Sequence, residues 1–290
     1  GLVDGPKSDN KCADLLPVYH SNKKSGGEDI FELTIDQNSV AVGGKFLDKN
    51  ERAVFPITED SITRSGSKIA PHAVCDELSY LSGAIDPLKN ENYLEGIMNL
   101  LDYEKAKSCE SFRIIGNYII KNTILQDFLK FYLRGKEYKL DDKFNLSFQV
   151  ENAEGKAAGK SLNLNKLFIT FKLERANKGD MPLTNDRDFH EFYIGYVRSV
   201  NSSRAMTYCD LTGKLDYCVE RHRGIIGNAK LISISNHDET YYGRLKSGGD
   251  IYHISYEASQ KIHNMLKYLV DDANHASFIG GPRSPNRYDT

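Results

Sequence analysis

The stretch Ile30-Phe31-Glu32-Leu33-Thr34-Ile35-Asp36 alternates apolar and polar residues, and that period of two sets the fold class. Successive side chains of a strand point to opposite faces, so the pattern predicts a strand with one buried face. Val40 to Leu47 answers it across Gln37-Asn38-Ser39, which predicts a hairpin. Ala53-Val54-Phe55-Pro56-Ile57 predicts a third short strand, with Pro56 placing it at an edge or a strand end.

Outward from these strands the period changes. Pro71 predicts a helix over His72 to Leu81, because proline suits a first helical turn. Further helices are predicted over Asn90 to Lys107 and over Ser111 to Leu133. The latter carries an apolar stripe through Ile115, Tyr118, Ile119, Phe128, Phe131 and Tyr132, which reads as a core face. Strands return at Phe144 to Val150 and Lys166 to Leu173, with a loop at Glu154–Lys160 between them. A helix over Phe189–Val200 follows, then short strands near Met206–Cys209, Ala229–Ile234 and Thr240–Leu245. Ser255 is an N-cap for a last helix to about Asp271, where Ile262, Met265, Leu266 and Leu269 keep helical spacing. The tail Ser277–Thr290 reads as loop or linker. The class is α+β, with irregular antiparallel sheets and segregated helices and no βαβ alternation. The division expected is residues 1–138, a strand hairpin plus a helical region, and residues 139–276, a second α+β region, ahead of the tail.

The 290 residues are 40% hydrophobic, which a globular protein needs and a disordered one lacks. No apolar run approaches the roughly 20 residues that span a bilayer, and no signal peptide opens the chain, so the expectation is a cytoplasmic protein without membrane contact. It begins at Gly1 rather than Met, read as a cloning scar or trimmed end. The five cysteines are scattered, as reduced thiols are. Cys209, Cys218 and His222 are conceivable metal ligands, but the tight C-x-x-C or H-x-H pairs of zinc sites are missing, so no metal or other cofactor is expected. The net charge of −2 lacks the basic excess of a general nucleic-acid coat protein, so DNA contact would need a local patch. No phosphate loop, dinucleotide fingerprint, H-E-x-x-H, nucleophile elbow or kinase set is present, and no enzyme is expected. The paired glycines, such as Gly26-Gly27 and Gly43-Gly44, read as turn punctuation.

Two segments stand out. Arg64-Ser65-Gly66-Ser67-Lys68-Ile69-Ala70-Pro71-His72, followed by Cys75-Asp76 and Tyr80, combines two cations, two hydroxyls and a flexible Gly66 ahead of a proline-started helix. Backbone N–H groups at such a place bind anions; the bland alternative is a solvated loop. The second runs from Cys209-Asp210-Leu211-Thr212-Gly213, a turn, through His222 and Ala229–Ser233 to Gly243-Arg244 and Tyr256–Lys261. Lys230 and Asn236 fall near strand ends, and Arg244 follows a glycine that permits close backbone approach.

Taken in order, Leu16-Pro17 with His20, Phe55–Glu59, Arg64–Asp76, Cys209–Gly213, His222, Ala229–Ser233, Gly243-Arg244 and Tyr256–Asn264 resemble the large subunit of the subtype I-C CRISPR surveillance complex, Cascade. The resemblance runs from about Leu15 to Tyr268. It departs at Tyr242-Gly243-Arg244-Leu245, where one expected cation is lost, and the family's C-terminal helical domain is absent from this sequence. The resemblance implies a non-catalytic subunit that reads the short duplex motif beside the target (the PAM), helps part the strands into an R-loop and helps recruit a helicase–nuclease. Its partners would be double-stranded target DNA and the guide-RNA ribonucleoprotein with the other Cascade subunits. Under that reading Arg64, Ser65, Gly66, Ser67, Lys68 and His72 form one DNA-contacting set, and Lys230, Asn236 and Arg244 a second. Cations would neutralise phosphates while Asn236 or Ser65 reads base edges. A metal-dependent nuclease built around Cys209–His237 and a scaffold whose Arg64–His72 loop contacts another subunit are the alternatives.

Overall fold

The alternating stretch forms a strand, but one buried on both faces. The computed structural model describes residues 15–62, 64, 68–151, 157–175, 179–226, 229–232, 252–271, 277–278 and 288–289. The chain divides into a larger unit, Ser21–Tyr196, and a smaller one made of Gly1–His20 and Val197–Thr290. The class is α+β.

In the larger unit, β1 (His20–Lys24, whose first residue belongs to the smaller unit) is followed by β2 (Ile30–Ile35), β3 (Ala41–Phe46), β4 (Arg52–Pro56) and the short helix α1 (Glu59–Ile62). The predicted β2–β3 hairpin is present, with Ser39 at φ 59° in its turn. The Asp36 carboxylate accepts from the N–H of Asn38 at 2.9 Å and of Val40 at 2.8 Å, which closes the turn. β4 pairs with β1.

Next come β5 (Asp76–Glu77), α2 (Leu78–Leu81), α3 (Pro87–Asp102), α4 (Glu110–Ile119) and α5 (Ile124–Leu133). The helix predicted over His72–Leu81 is thus cut to one turn, because Asp76 and Glu77 pair with Ile169 and Phe168. The helix predicted over Ser111–Leu133 breaks in two. Asn122 takes φ 56°, a left-handed conformation that asparagine tolerates, and Lys121-Asn122-Thr123 interrupts the apolar stripe. Beyond them lie β6 (Tyr138–Leu140), β7 (Asn145–Glu151), β8 (Ala157–Asn163), β9 (Phe168–Leu173), β10 (Met181–Pro182) and α6 (Arg187–Ser202), which runs on past Tyr196. Of the region read as a loop at Glu154–Lys160, residues 154–156 lie outside the described residues and 157–160 belong to β8, which pairs with β7 along its length. The 138/139 division falls inside β6 of the larger unit.

The central sheet runs β10-β9-β2-β3, with β5 also on β9. β2 and β9 are parallel, from Ile30 opposite Phe168 to Ile35 opposite Leu173, and the other pairs in this sheet are antiparallel. Lying between β3 and β9, β2 buries Phe31, Leu33 and Ile35 on one face and also Glu32, which is 4% exposed, on the other. Burial pushes the Glu32 carboxyl up, against the pull of Lys172 and Lys45. Phe31 anchors the helical side: its ring meets Phe128 edge-on at 4.9 Å and Phe46 at 5.1 Å. That ring also corrects the reading of Gly43-Gly44 as a turn. Both lie inside β3, and a Cβ on Gly44 would sit 2.4 Å from Phe31 Cε1.

The smaller unit contains β11 (Thr207–Tyr208), β12 (Leu215–Asp216), β13 (Gly224–Ile226), β14 (Ala229–Lys230), α7 (Tyr256–Asp271), β15 (Ser277–Phe278) and β16 (Tyr288–Asp289). β11 pairs with β12 and β13 with β14. α7 starts where the sequence placed it: Ser255 Oγ accepts from the Ala258 N–H at 3.2 Å. In the tail read as a linker, β15 and β16 pair. The strand predicted over Thr240–Leu245 lies outside the described residues. Among the described residues no helix is long and apolar enough to cross a membrane.

Candidate nucleic-acid interface

Arg64 faces inward, onto a carboxylate. Its Nη1 donates to Asp76 Oδ2 and its Nη2 to Asp76 Oδ1, both at 2.8 Å, a bidentate ion pair. Nη1 also donates to the Ala70 carbonyl at 3.2 Å, and the guanidinium lies over the Tyr80 ring, 4.7 Å from its centroid. The Asp76 side chain has no exposed surface and accepts two further bonds, from the N–H of His72 and of Glu77, each at 2.7 Å. Burial alone would lower the Arg64 pKa, but the hydrogen bonds and charge of Asp76 outweigh it and raise it. This clasp ties Arg64 to the far end of its own loop. It also explains why β5 is extended where a helix was predicted: the Asp76 carboxylate gathers the backbone on either side of it.

The rest of the first set has separate fates. Lys68 is exposed and pairs with the exposed Asp60, side chains 37% and 72% accessible. Such a surface pair contributes about 0–1 kcal/mol and is readily exchanged for another anion. His72 packs against Phe55, ring centroids 4.9 Å apart, and burial pulls its pKa down to about 4, so the ring is neutral near pH 7. A neutral ring, half-buried against Phe55, brings no charge to a phosphate. Ser65, Gly66 and Ser67 lie outside the described residues. In the second set, Lys230 is exposed at the end of β14, whereas Asn236 and Arg244 lie outside the described residues. The two sets belong to different units: Arg64 to His72 to the larger, Lys230 to the smaller.

The signature residues of the smaller unit hold backbone together. Asn264 Nδ2 donates to the carbonyls of Leu16 at 3.2 Å and Pro17 at 3.0 Å. Arg223 Nη1 donates to Asn264 Oδ1 at 2.9 Å and to the His20 carbonyl at 3.3 Å. Glu257 is clamped by Arg198 through two bonds of 2.8 Å and by Lys261 at 2.8 Å, which holds its carboxyl down at about 2. His222 turns to Ser259 Oγ, 2.7 Å away. Among the described residues no three His, Cys, Asp or Glu side chains are grouped to hold a metal ion.

The turn predicted at Asp210–Gly213 links β11 to β12, with Gly213 at φ 66°. Cys209 faces inward and its Sγ accepts from the Ser255 N–H at 3.3 Å. Burial would push this thiol up, but hydrogen bonds from Thr212, Ser255 and Leu211 prevail and bring it to about 7. On the outer side the hairpin shows three large apolar side chains that the sequence reading passed over. Tyr208 is 69% exposed, Leu215, directly opposite it, 59%, and Leu211 in the turn 55%. The available signal was their alternation with inward-facing Cys209 on either side of a recognisable turn.

The family model described as "CRISPR-associated protein (Cas_Csd1)" matches residues 6–282, and the chain belongs to that family of CRISPR-associated proteins. No curated protein matches it.

The clasp and the surface pair behave differently when cut. Arg64→Ala strands a buried carboxylate and is expected to cost about 3 kcal/mol, lowering Tm by roughly 6–12 °C. Lys68→Ala is expected to stay within about 0.5 kcal/mol of wild type. Thermal melts of the two variants decide it; equal melting temperatures would refute the assignment of Arg64 to the frame of the loop.

Proposed function

We propose that this chain is the large subunit of a subtype I-C Cascade complex, that it reads the PAM in double-stranded DNA, and that it performs no covalent chemistry. The observation that carries this reading is the clasped loop. Arg64 is fixed to Asp76 ahead of a sequence rich in hydroxyls and glycine, and Lys68 after it is exposed and paired with a surface carboxylate, Asp60. Phosphates position such a loop and base edges specify. In this division of labour Arg64 is a positioning residue. Lys68 takes a phosphate, and Ser65 and Ser67, with Gly66 allowing close approach, are the candidates for base edges in a groove whose code is degenerate. His72 drops out of the phosphate contacts because its ring is neutral and half-buried against Phe55. Lys230 and Arg244 supply a second set for phosphate, with Asn236 a further candidate for base edges. The other Cascade subunits hold the guide RNA and most of the DNA phosphate backbone, which accommodates a chain of net charge −2. A helicase–nuclease recruited to the opened target supplies the cleavage. The scaffold alternative predicts that Lys68 variants impair assembly and spare PAM discrimination.

The exposed hairpin suits the step after recognition. Tyr208, Leu211 and Leu215 offer an aromatic face and two apolar side chains on a turn stiffened by Cys209 and by Asp210, whose Oδ2 accepts from the His253 N–H at 2.6 Å. Apolar side chains of this kind insert at base steps and stack on unpaired bases, worth about 1–3 kcal/mol per base. In this proposal the hairpin supports the first bases to part beside the PAM.

Two measurements on the reconstituted complex test these assignments. For Lys68→Ala, the slope of log K against log salt for a PAM-containing duplex is expected to fall by about 0.9 in magnitude. An unchanged slope removes Lys68 from the phosphate contacts. For Tyr208→Ser/Leu215→Ser, a 2-aminopurine base next to the PAM is expected to brighten about tenfold more slowly, with first encounter of the PAM duplex retained. Wild-type opening kinetics in the double variant, or loss of a subunit from the complex, would show that the hairpin serves protein contact instead.

A further inference from the structure

Inside the smaller unit, two histidines face each other across a hydroxyl and have one nitrogen each to spare. His222 and His263 are 2% and 1% exposed, and their rings lie nearly parallel, 9° apart in plane with centroids 6.0 Å apart. Ser259, itself 2% exposed, sits at their Nδ1 edges, its Oγ 2.7 Å from His222 Nδ1 and 3.4 Å from His263 Nδ1. His263 Nδ1 also lies 2.6 Å from the Ser259 carbonyl. The Nε2 atoms of both rings are buried and have no hydrogen-bond partner among the described residues, and neither has Oε1 of Gln260, which is 2% exposed. Groups so enclosed carry a desolvation cost of roughly 1–3 kcal/mol each unless something bonds to them.

The hydrogen bonds on the Nδ1 side determine what that something is. A carbonyl oxygen only accepts, so His263 Nδ1 carries its proton and His263 Nε2 presents a lone pair. The Ser259 hydroxyl then gives its proton to the remaining acceptor, His222 Nδ1, and His222 Nε2 is left as an N–H donor. Burial pushes both rings down, His222 to about 4 with His263 and Lys230 adding to it, so both are neutral near pH 7. The open edge therefore pairs one donor with one acceptor. A cation is disfavoured by the His222 N–H, and an anion by the His263 lone pair. A molecule that both gives and takes a proton fits, bridging the two nitrogens. Ser259 Oγ already makes such a bridge at the other edge.

We propose that His222 and His263 hold an internal water molecule between their Nε2 atoms, the counterpart of the Ser259 hydroxyl on the opposite edge. It accepts from His222 Nε2–H and donates to His263 Nε2. Its second proton is available to Gln260 Oε1, three residues before His263 and on the same side of α7. Three such bonds are usual for a buried water. The water completes a polar core that runs through Asn264 and Arg223 to the carbonyls of Leu16, Pro17 and His20. His222 is then a residue of this core and not a metal ligand.

The test uses the full chain labelled with 15N at histidine, and needs no variant that risks the fold. Two-bond nitrogen–proton correlations at pH 7 are expected to show the Nδ1–H tautomer for His263 and the Nε2–H tautomer for His222. A cross-relaxation peak between His222 Hε2 and a long-lived water is expected with them. A His263 protonated at Nε2, or no water peak at His222 Hε2, would overturn the proposal. So would added Zn2+ that shifts both Nε2 signals at stoichiometric concentration, since that outcome makes the pair a metal site.

Discussion

A carboxylate with no exposed surface must be neutralised where it sits, and Asp76 is neutralised by a single arginine twelve residues upstream. The arrangement is close to saturated: each Asp76 oxygen accepts one bond from Arg64 and one from a backbone N–H. Its consequences spread both ways along the chain. Upstream it closes the loop from Arg64 to Ala70. Downstream it holds Asp76 and Glu77 extended so that they pair with β9, the parallel neighbour of the buried strand β2. The base of the most distinctive loop and the edge strand β5 of the central sheet therefore share the same two side chains.

Much of this frame was legible in the sequence. Period-two alternation located β2 and β3, and helical spacing with a serine cap located α7, because those patterns report local burial and local hydrogen bonding. What was hidden depended on distant partners. Glu32 reads as a solvent-facing residue, because local alternation does not report that β2 becomes an inner strand beside β9, more than 130 residues later. Gly44 reads as a turn until the Phe31 ring is found where its side chain would be. The helix break at Asn122 depends on a single left-handed residue that composition does not reveal.

The candidate site was legible in outline and not in role. Sequence reading singled out Arg64, Lys68 and Asp76 together and took the two cations as equivalent. Physically they are opposites: one is locked in a buried ion pair, the other is exposed and loosely held. Nothing in the local sequence distinguishes them, since the difference lies in which carboxylate each one finds. The same holds for His222. It lies near Cys209 and Cys218 in sequence without the spacing of a zinc site, and nothing local shows that its ring turns to Ser259 on α7. Tyr208, Leu211 and Leu215 escaped notice because apolar residues beside a turn are ordinarily buried, and here the inward position is taken by Cys209.

The central claim is that Arg64 serves the loop through Asp76 and does not itself touch DNA. The direct test is a double-mutant cycle of Arg64→Met and Asp76→Leu, read as PAM-dependent duplex affinity of the assembled complex. If the claim holds, Arg64→Met weakens binding in the wild-type background and has no further effect once Asp76 is leucine. The same fold loss in both backgrounds would mean that Arg64 contacts the DNA directly, and the account given for the loop would be wrong.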